Sequence, residues 1–215
     1  MSAQHQFGSS FHEPGAVSTI KFEIKSFIGR LFSRGNRIPD YSLLHLGCGP
    51  NLINGFENMD FYSMRFWKAK YIGHDLRHPL PYKDKTFDGV FSEHTLEHLY
   101  ASDAINLLRE VHRILKPGSV FRIVVPDLKK YVDFYEGKNL DPEFQKFTNG
   151  CEGIWCLTQN WGHLSCWDAE MLSKKLVEAG FKTAAEVSFL TGADKRLLCD
   201  LEARKWESLY IEAIA

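Results

Sequence analysis

Apolar positions along this 215-residue chain follow two periods in turn. Over residues 17–34, Val17, Ile20, Ile24, Phe27, Ile28 and Leu31 recur at three- and four-residue steps, with Lys21, Lys25, Arg30 and Arg34 elsewhere around the wheel. This spacing predicts a basic amphipathic helix. Short apolar runs of strand length follow at 42–46, 56–60, 71–75 and 87–92, and a helical stripe of Ile105, Leu108, Val111 and Leu115 then occupies about 102–116. Ser102 or Asp103 stands where that helix needs a cap, and Lys116-Pro117-Gly118 ends it. A β-branched run at 120–125 closes on Pro126.

From 127 to 167 the alternation breaks into a long segment carrying Tyr131, Phe134, Tyr135, Phe144, Phe147, Trp155, Trp161 and Trp167. So many aromatics argue against disorder, and the length argues against a simple connection, so a partly helical cap over the strand ends is expected. A last helix, about 168–179 before Gly180, precedes strands at 183–190 and 208–213, although the polar stretch 191–204 between them is long for a turn. Alternation of this kind specifies an α/β fold: a mostly parallel seven-stranded sheet with helices on both faces and an antiparallel strand at one edge. Ligands of such sheets bind at the carboxyl ends of the strands, where Gly47, Asp60, Asp75 and Glu93 all fall.

Length fits one domain, divided here into an N-terminal helix or lid (1–37) and a main domain (38–215) with the cap inserted at about 127–167. A formal net charge of −1 argues against a broad phosphate-binding face, so no nucleic-acid partner is expected. The N-terminal helix reads most simply as packed on the domain, with a membrane surface as the alternative partner. Residues 1–15 carry no apolar signal core and no run reaches the roughly 18 apolar residues of a membrane span, so a cytoplasmic protein with reduced thiols is expected. Cys151, Cys156, His163 and Cys166 are spaced x4, x6 and x2, unlike the short paired knuckles of structural zinc sites, so no metal is expected.

The run Leu43-Leu44-His45-Leu46-Gly47-Cys48-Gly49-Pro50 ends a strand in a Gly-x-Gly loop that lets a ligand approach bare backbone. A dinucleotide site wants a third glycine three residues on, opening a helix whose N-terminus holds the pyrophosphate; that position is Leu52, and an Asn54-Gly55 turn follows before the next strand. The loop suits a nucleoside ligand without phosphate, and a nicotinamide-dependent oxidoreductase is disfavoured.

With Asp75-Leu76, Pro79-Leu80-Pro81-Tyr82, Phe87-Asp88, Glu97-His98-Leu99 and Leu115-Lys116-Pro117-Gly118 in order behind that loop, the chain resembles the class I S-adenosylmethionine-dependent methyltransferases. Its end, Glu207-Ser208-Leu209-Tyr210-Ile211-Glu212-Ala213, resembles a bacterial subgroup associated with surface-polysaccharide pathways. The resemblance implies a Rossmann-like fold and S-adenosylmethionine as cofactor. It places Gly47, Cys48 and Gly49 under the methionine part, Asp60 at the ribose hydroxyls, Asp75 and Leu76 at the adenine, and Glu93 in the same site. Two positions depart from the family pattern: His45 replaces the usual acidic residue and Asn51 the usual third glycine.

Methyl transfer needs acceptor, methyl and sulfur in line, and an oxygen acceptor must also lose a proton. Phe91-Ser92-Glu93-His94 stands where methyltransferases of amide and adenine nitrogens carry an Asn/Asp-Pro-Pro-aromatic signature, which favours oxygen. His163 in the aromatic cap is the first choice of general base and His94 the second, while His98 reads as structural. The expected activity is O-methylation of a small molecule, glycan or glycan precursor. The alternative is a domain that has lost turnover and serves as a binding or scaffolding module.

Overall fold

The computed structural model describes residues 16–32, 36–61, 71–138 and 141–215. The polar segment 1–15 and the side chains of Val17, Arg30, Leu31 and Arg34 lie outside the described residues. Seven strands form one sheet: β1 Leu43–Leu46, β2 Phe56–Asp60, β3 Ile72–Gly73, β4 Phe87–Glu93, β5 Leu115–Pro126, β6 Thr183–Val187 and β7 Ser208–Ile214, in the order β3-β2-β1-β4-β5-β7-β6. Pairings from β3 to β5 are parallel, and β7 runs antiparallel to both β5 and β6. The mostly parallel sheet with an antiparallel hairpin at one edge is the expected one. Because β2 and β4 flank β1, the chain turns to opposite sides there, opening a crevice at the carboxyl ends of these strands.

Strand β5 shows how the pleat sorts the core. Phe121, Ile123 and Val125 pack with Ala104, Leu108 and Val111 of helix α2 (Ala101–Ile114) and with Leu172 and Leu176 of helix α5 (Ala169–Glu178). Val120 and Val124, one step out of phase, join Leu43, Phe56, Phe91, Tyr210 and Leu197 on the opposite face. The chain between β6 and β7 meets that second face through Leu197, in a 3-10 turn, and Asp200, the two buried residues of the polar segment 191–204.

What holds it is Arg122, fully buried on that face. Its Nε and Nη2 donate to the two Asp200 carboxylate oxygens at 2.7 and 2.6 Å, and Nη1 donates to Glu212 Oε1 at 3.1 Å and to the Thr191 carbonyl at 3.0 Å. Glu212 is the cross-strand partner of Arg122 on β7, so register alone sets half of the network.

Two local expectations are corrected. Helix α2 is capped by Tyr100 without a side-chain bond, and Ser102 and Asp103 lie inside its first turn, where Asp103 still meets the positive end of the helix dipole. The helix also stops at Ile114: Leu115 pairs with Phe87 as the first residue of β5, because burial on the sheet outweighs one more helical residue.

The segment after β5 is partly helical, as expected, with α3 (Leu128–Tyr135), α4 (Gly150–Gln159) and two short 3-10 turns. Tyr131, Phe144, Phe147, Cys156 and Leu157 form its own small core, with Trp206 packed against them. Helix α1 (Ala16–Phe32) is docked on the domain by its polar side. Ser26 is buried, while Ile20, Ile24, Phe27 and Ile28 are each about half exposed. No described helix is long and apolar enough to cross a membrane.

Removing one partner of a buried ion pair strands the other charge in a dry environment. Asp200→Ala is therefore expected to lower unfolding stability by about 3–5 kcal/mol, read as a lower urea midpoint. An unchanged midpoint would show that Arg122 does not anchor this segment.

Candidate active site

A cavity of about 990 Å³ opens over the carboxyl ends of β1, β2 and β4. Its floor is the Gly47-Cys48-Gly49 loop. Gly47 has φ +66° and no room for a side chain, since a Cβ there would fall 1.9 Å from Thr95 Oγ1. Gly49 also has positive φ, at +50°, but open space around it. Both need glycine for its backbone freedom, and Gly47 needs it a second time for packing. Cys48 is buried between them, and burial together with Asp60 pushes its thiol up to about 12, which keeps it protonated.

Residues 47–55 form no helix, so no helix N-terminus faces the cavity from this crossover. The loop is held instead by neutral groups. His45 Nδ1 lies 3.1 Å from Asn58 Oδ1, which also accepts from Ile53 N at 2.9 Å, while Asn58 Nδ2 donates to the Ile53 carbonyl at 2.9 Å. Burial pushes His45 down to about 4, so a neutral imidazole stands in the place of the expected acidic residue.

The expected ligand residues converge on this cavity. Asp60, at the end of β2, accepts from the Gly49 and Phe61 amides at 2.5 and 2.6 Å; burial raises its pKa against those two bonds. Asp75, beyond β3, accepts from the Ser26 hydroxyl and from Arg77 Nη2 at 2.7 Å. Burial works to raise its pKa, but Arg77 and Ser26 outweigh it and hold the carboxyl at about 2. Leu76 and Glu93 complete this wall, and Glu93 Oε1 accepts from Leu201 N at 2.9 Å.

Helix α1 borders the cavity. Thr19, Phe22 and Glu23 line it; Glu23 pairs with Arg77 at 2.7 Å, Phe22 stacks on Phe61 at 4.1 Å, and the Arg77 guanidinium lies 4.8 Å from the Phe22 ring centre. Arg77 is the hinge of this contact and was not among the expected site residues. The Asp75-x-Arg77 spacing, with a carboxylate and a guanidinium two residues apart beside a strand end, is a signal that could have pointed to it.

At the other end lies a cluster of three histidines around Glu97. His94 and His98 line the cavity, and His163 stands behind His98 with ring centres 5.0 Å apart. His98 is thus brought into the site, contrary to its structural reading, because residues 96–98 form a 3-10 turn that sends Glu97 inward and His98 toward the cavity. Burial lowers all three histidines, His94 to about 2 and His98 to about 4, so they are neutral imidazoles. Cys151 is exposed and Cys156 is buried in the cap core; the His163 neighbours that share a potential ligand sphere are Glu97 and His98, not the cysteines.

Residues 56–123 match the family model described as Methyltransferase domain, a stretch running from β2 into β5 that includes Asp60, Asp75, Glu93, Glu97 and His98. Among solved structures, a SAM-dependent methyltransferase from Archaeoglobus fulgidus is 18% identical over 94% of this chain and 95% of that one, with a TM-score of 0.50. A chain of the complex between the Haloferax volcanii Trm112 methyltransferase activator and the methyltransferase is 16% identical over 91% and 92%, with a TM-score of 0.53. A SAM-dependent methyltransferase, possible histamine N-methyltransferase, from Thermotoga maritima is 16% identical over 91% and 89%, with a TM-score of 0.50. The fold is the Rossmann-like methyltransferase fold.

The two glycines predict different costs. Gly47→Ala must both strain φ and displace Thr95, whereas Gly49→Ala meets only the backbone strain, about 1–3 kcal/mol for such a residue. Thermal unfolding is expected to show the larger loss for Gly47→Ala; equal losses would remove the Thr95 contact as the cause.

Proposed function

We propose that this protein is an S-adenosylmethionine-dependent methyltransferase that acts on an oxygen atom of a small molecule, glycan or glycan precursor. The observation that carries the cofactor is the cavity itself: a glycine floor at the switch point, carboxylates at the ends of β2 and β3, and a first crossover without the helix N-terminus that a pyrophosphate would require. The matched Methyltransferase domain supports the same cofactor.

In this reading Gly47, Cys48 and Gly49 pass under the methionine part, where backbone rather than side chains sets the contact distance. Asp60 spends one lone pair on each of two amides and keeps others for the ribose hydroxyls. Asp75 and Leu76 face the adenine. Because Asp75 is also bonded by Ser26 and Arg77, adenine binding and α1 docking compete for one carboxylate, which makes α1 a lid coupled to cofactor entry.

The oxygen acceptor is supported by the histidine cluster and by the absence of an Asn/Asp-Pro-Pro-aromatic run at 91–94. His163 donates from Nδ1 to the Leu157 carbonyl at 2.7 Å, which leaves Nε2 as its basic atom. It is the proposed base, acting through His98, with His94 second. The enzyme is expected to bind S-adenosylmethionine in calorimetric titration, and His163→Ala to lower turnover at least about tenfold with cofactor affinity unchanged. Unchanged turnover rejects His163, and absence of cofactor binding favours a scaffolding module instead.

We also propose that α1 rests on an anionic membrane surface, where a lipid-linked glycan precursor would be found. The outward stripe Ile20, Ile24, Phe27 and Ile28 is flanked by exposed Lys21 and Lys25, the arrangement of an interfacial helix. The protein is expected to sediment with phosphatidylglycerol vesicles and not with phosphatidylcholine ones, and Ile24→Asp with Phe27→Asp to abolish the effect. Sedimentation unaffected by these changes would refute the helix as the contact.

A further inference from the structure

Glu97 is buried to 1% exposure, and neither of its carboxylate oxygens has a hydrogen-bond partner. An unbonded carboxylate in such a place is costly, and native proteins rarely leave one. The groups around it are imidazole nitrogens: His94 Nδ1 at 3.5 Å and His98 Nε2 at 4.0 Å from Oε1. Its own main chain ties the cap to it, since the Glu97 carbonyl accepts from Leu164 N at 2.7 Å and Ser165 N at 3.1 Å, which brings His163 to the same place.

The hydrogen bonds on the far sides of these rings decide where their lone pairs point. Ser208 Oγ spends its proton on the Arg204 carbonyl at 2.7 Å, so at 2.8 Å it accepts from His94 Nε2–H. His94 Nδ1 then carries a lone pair toward Glu97. His163 donates Nδ1–H to the Leu157 carbonyl, and its Nε2 carries the other lone pair. His98 has the carbonyls of Gly162 and Trp161 as partners. His94, tied from behind to the Ser208 hydroxyl, and His163, tied to the Leu157 carbonyl, thus keep a free lone pair each, as metal-binding imidazoles do.

We propose that Glu97, His98 and His163 bind a divalent first-row transition-metal ion, with Zn²⁺ the best fit, and leave the fourth tetrahedral position open to an acceptor oxygen. Two nitrogens and one oxygen suit zinc, iron or nickel rather than calcium or magnesium, which take oxygen donors. The donor atoms of Glu97, His98 and His163 all lie within 4.8 Å of one another. Bonds of about 2.1 Å in tetrahedral geometry would place donors about 3.4 Å apart, so the triad contracts by roughly 1 Å on loading. Small side-chain rotations supply that.

The site deepens the proposed transfer to oxygen and rests on it for its role. His98 lines the cavity, so the ion meets the acceptor on that side. A hydroxyl bound to it loses its proton to water more readily; the oxygen then forms the bond to the methyl carbon as the methyl–sulfur bond breaks, leaving a neutral thioether. In the metal-loaded site the histidine nitrogens are ligands, and His163 Nε2 serves as the base only where no ion is bound.

The test uses the full chain, stripped by chelator and dialysed, titrated with Zn²⁺ by calorimetry and with Co²⁺ by visible absorption. One ion per chain is expected at micromolar affinity or tighter, with intense tetrahedral cobalt bands. His98→Ala and His163→Ala should each weaken binding at least tenfold while S-adenosylmethionine affinity stays the same. Glu97→Gln should do likewise if it folds; His98, partly exposed, tests the site without that risk. No ion bound at one per chain, or equal binding by the variants, overturns the site. If turnover also persists in chelator, oxygen methylation stands with histidine as base. If the ion binds but S-adenosylmethionine does not, the metal site stands and the methyltransferase reading falls.

Discussion

The contact between Gly47 and Thr95 sets the upper face of this molecule. Thr95 occupies the space that any side chain at position 47 would need, and its hydroxyl lies 3.3 Å from both the Leu46 and Glu93 carbonyls. The end of β1 and the end of β4 are thereby locked together. Immediately beyond Thr95, the chain makes the tight turn that turns Glu97 inward and His98 outward. The glycine floor and the histidine wall are thus two sides of one packing contact, and neither can move without the other.

Much of the sheet was legible because its strands are short apolar runs between turn residues; β2 spans 56–60 as its pattern requires, and the terminal hairpin follows from two late apolar runs. Less legible were features that depend on distant partners. Nothing local says that Arg122 pairs with Asp200, 78 residues away, and so a polar stretch read as an overlong turn in fact meets the sheet through Leu197 and Asp200. Likewise the short crossover to Asp60 was readable from Asn54-Gly55, but the replacement of an acidic anchor by His45 and Asn58 required the register of β1 on β2, which pairs these two residues directly.

The cysteines of the cap are separated by helix geometry. Cys151 and Cys156 lie five residues apart on one helix, about 140° around its axis, so α4 buries one in the cap core and leaves the other in solvent. They cannot share a ligand sphere with His163. His163 was singled out by its place in the cap, whereas His98 was set aside because its neighbours suggested the side of a helix. A 3-10 turn has three residues per turn rather than 3.6, enough to redirect it.

Helix α1 inverts the usual logic of an amphipathic helix. Its polar side carries Glu23 and Ser26 to Arg77 and Asp75, so docking is specified by charge and hydrogen bonding, and the apolar stripe is left outside. The helix is held there by a partly exposed ion pair, worth about 1 kcal/mol or less, and by the Ser26 hydroxyl on the buried Asp75 carboxylate, the group that the proposed function assigns to adenine. At the opposite end of the cavity His94 is tied from behind to Ser208 and His163 to Leu157, and His94 and His98 both line the ligand space. His163, which does not line the cavity, meets it past His98, 5.0 Å away between ring centres, so a side chain with little local signal in the sequence joins the cap to the ligand space.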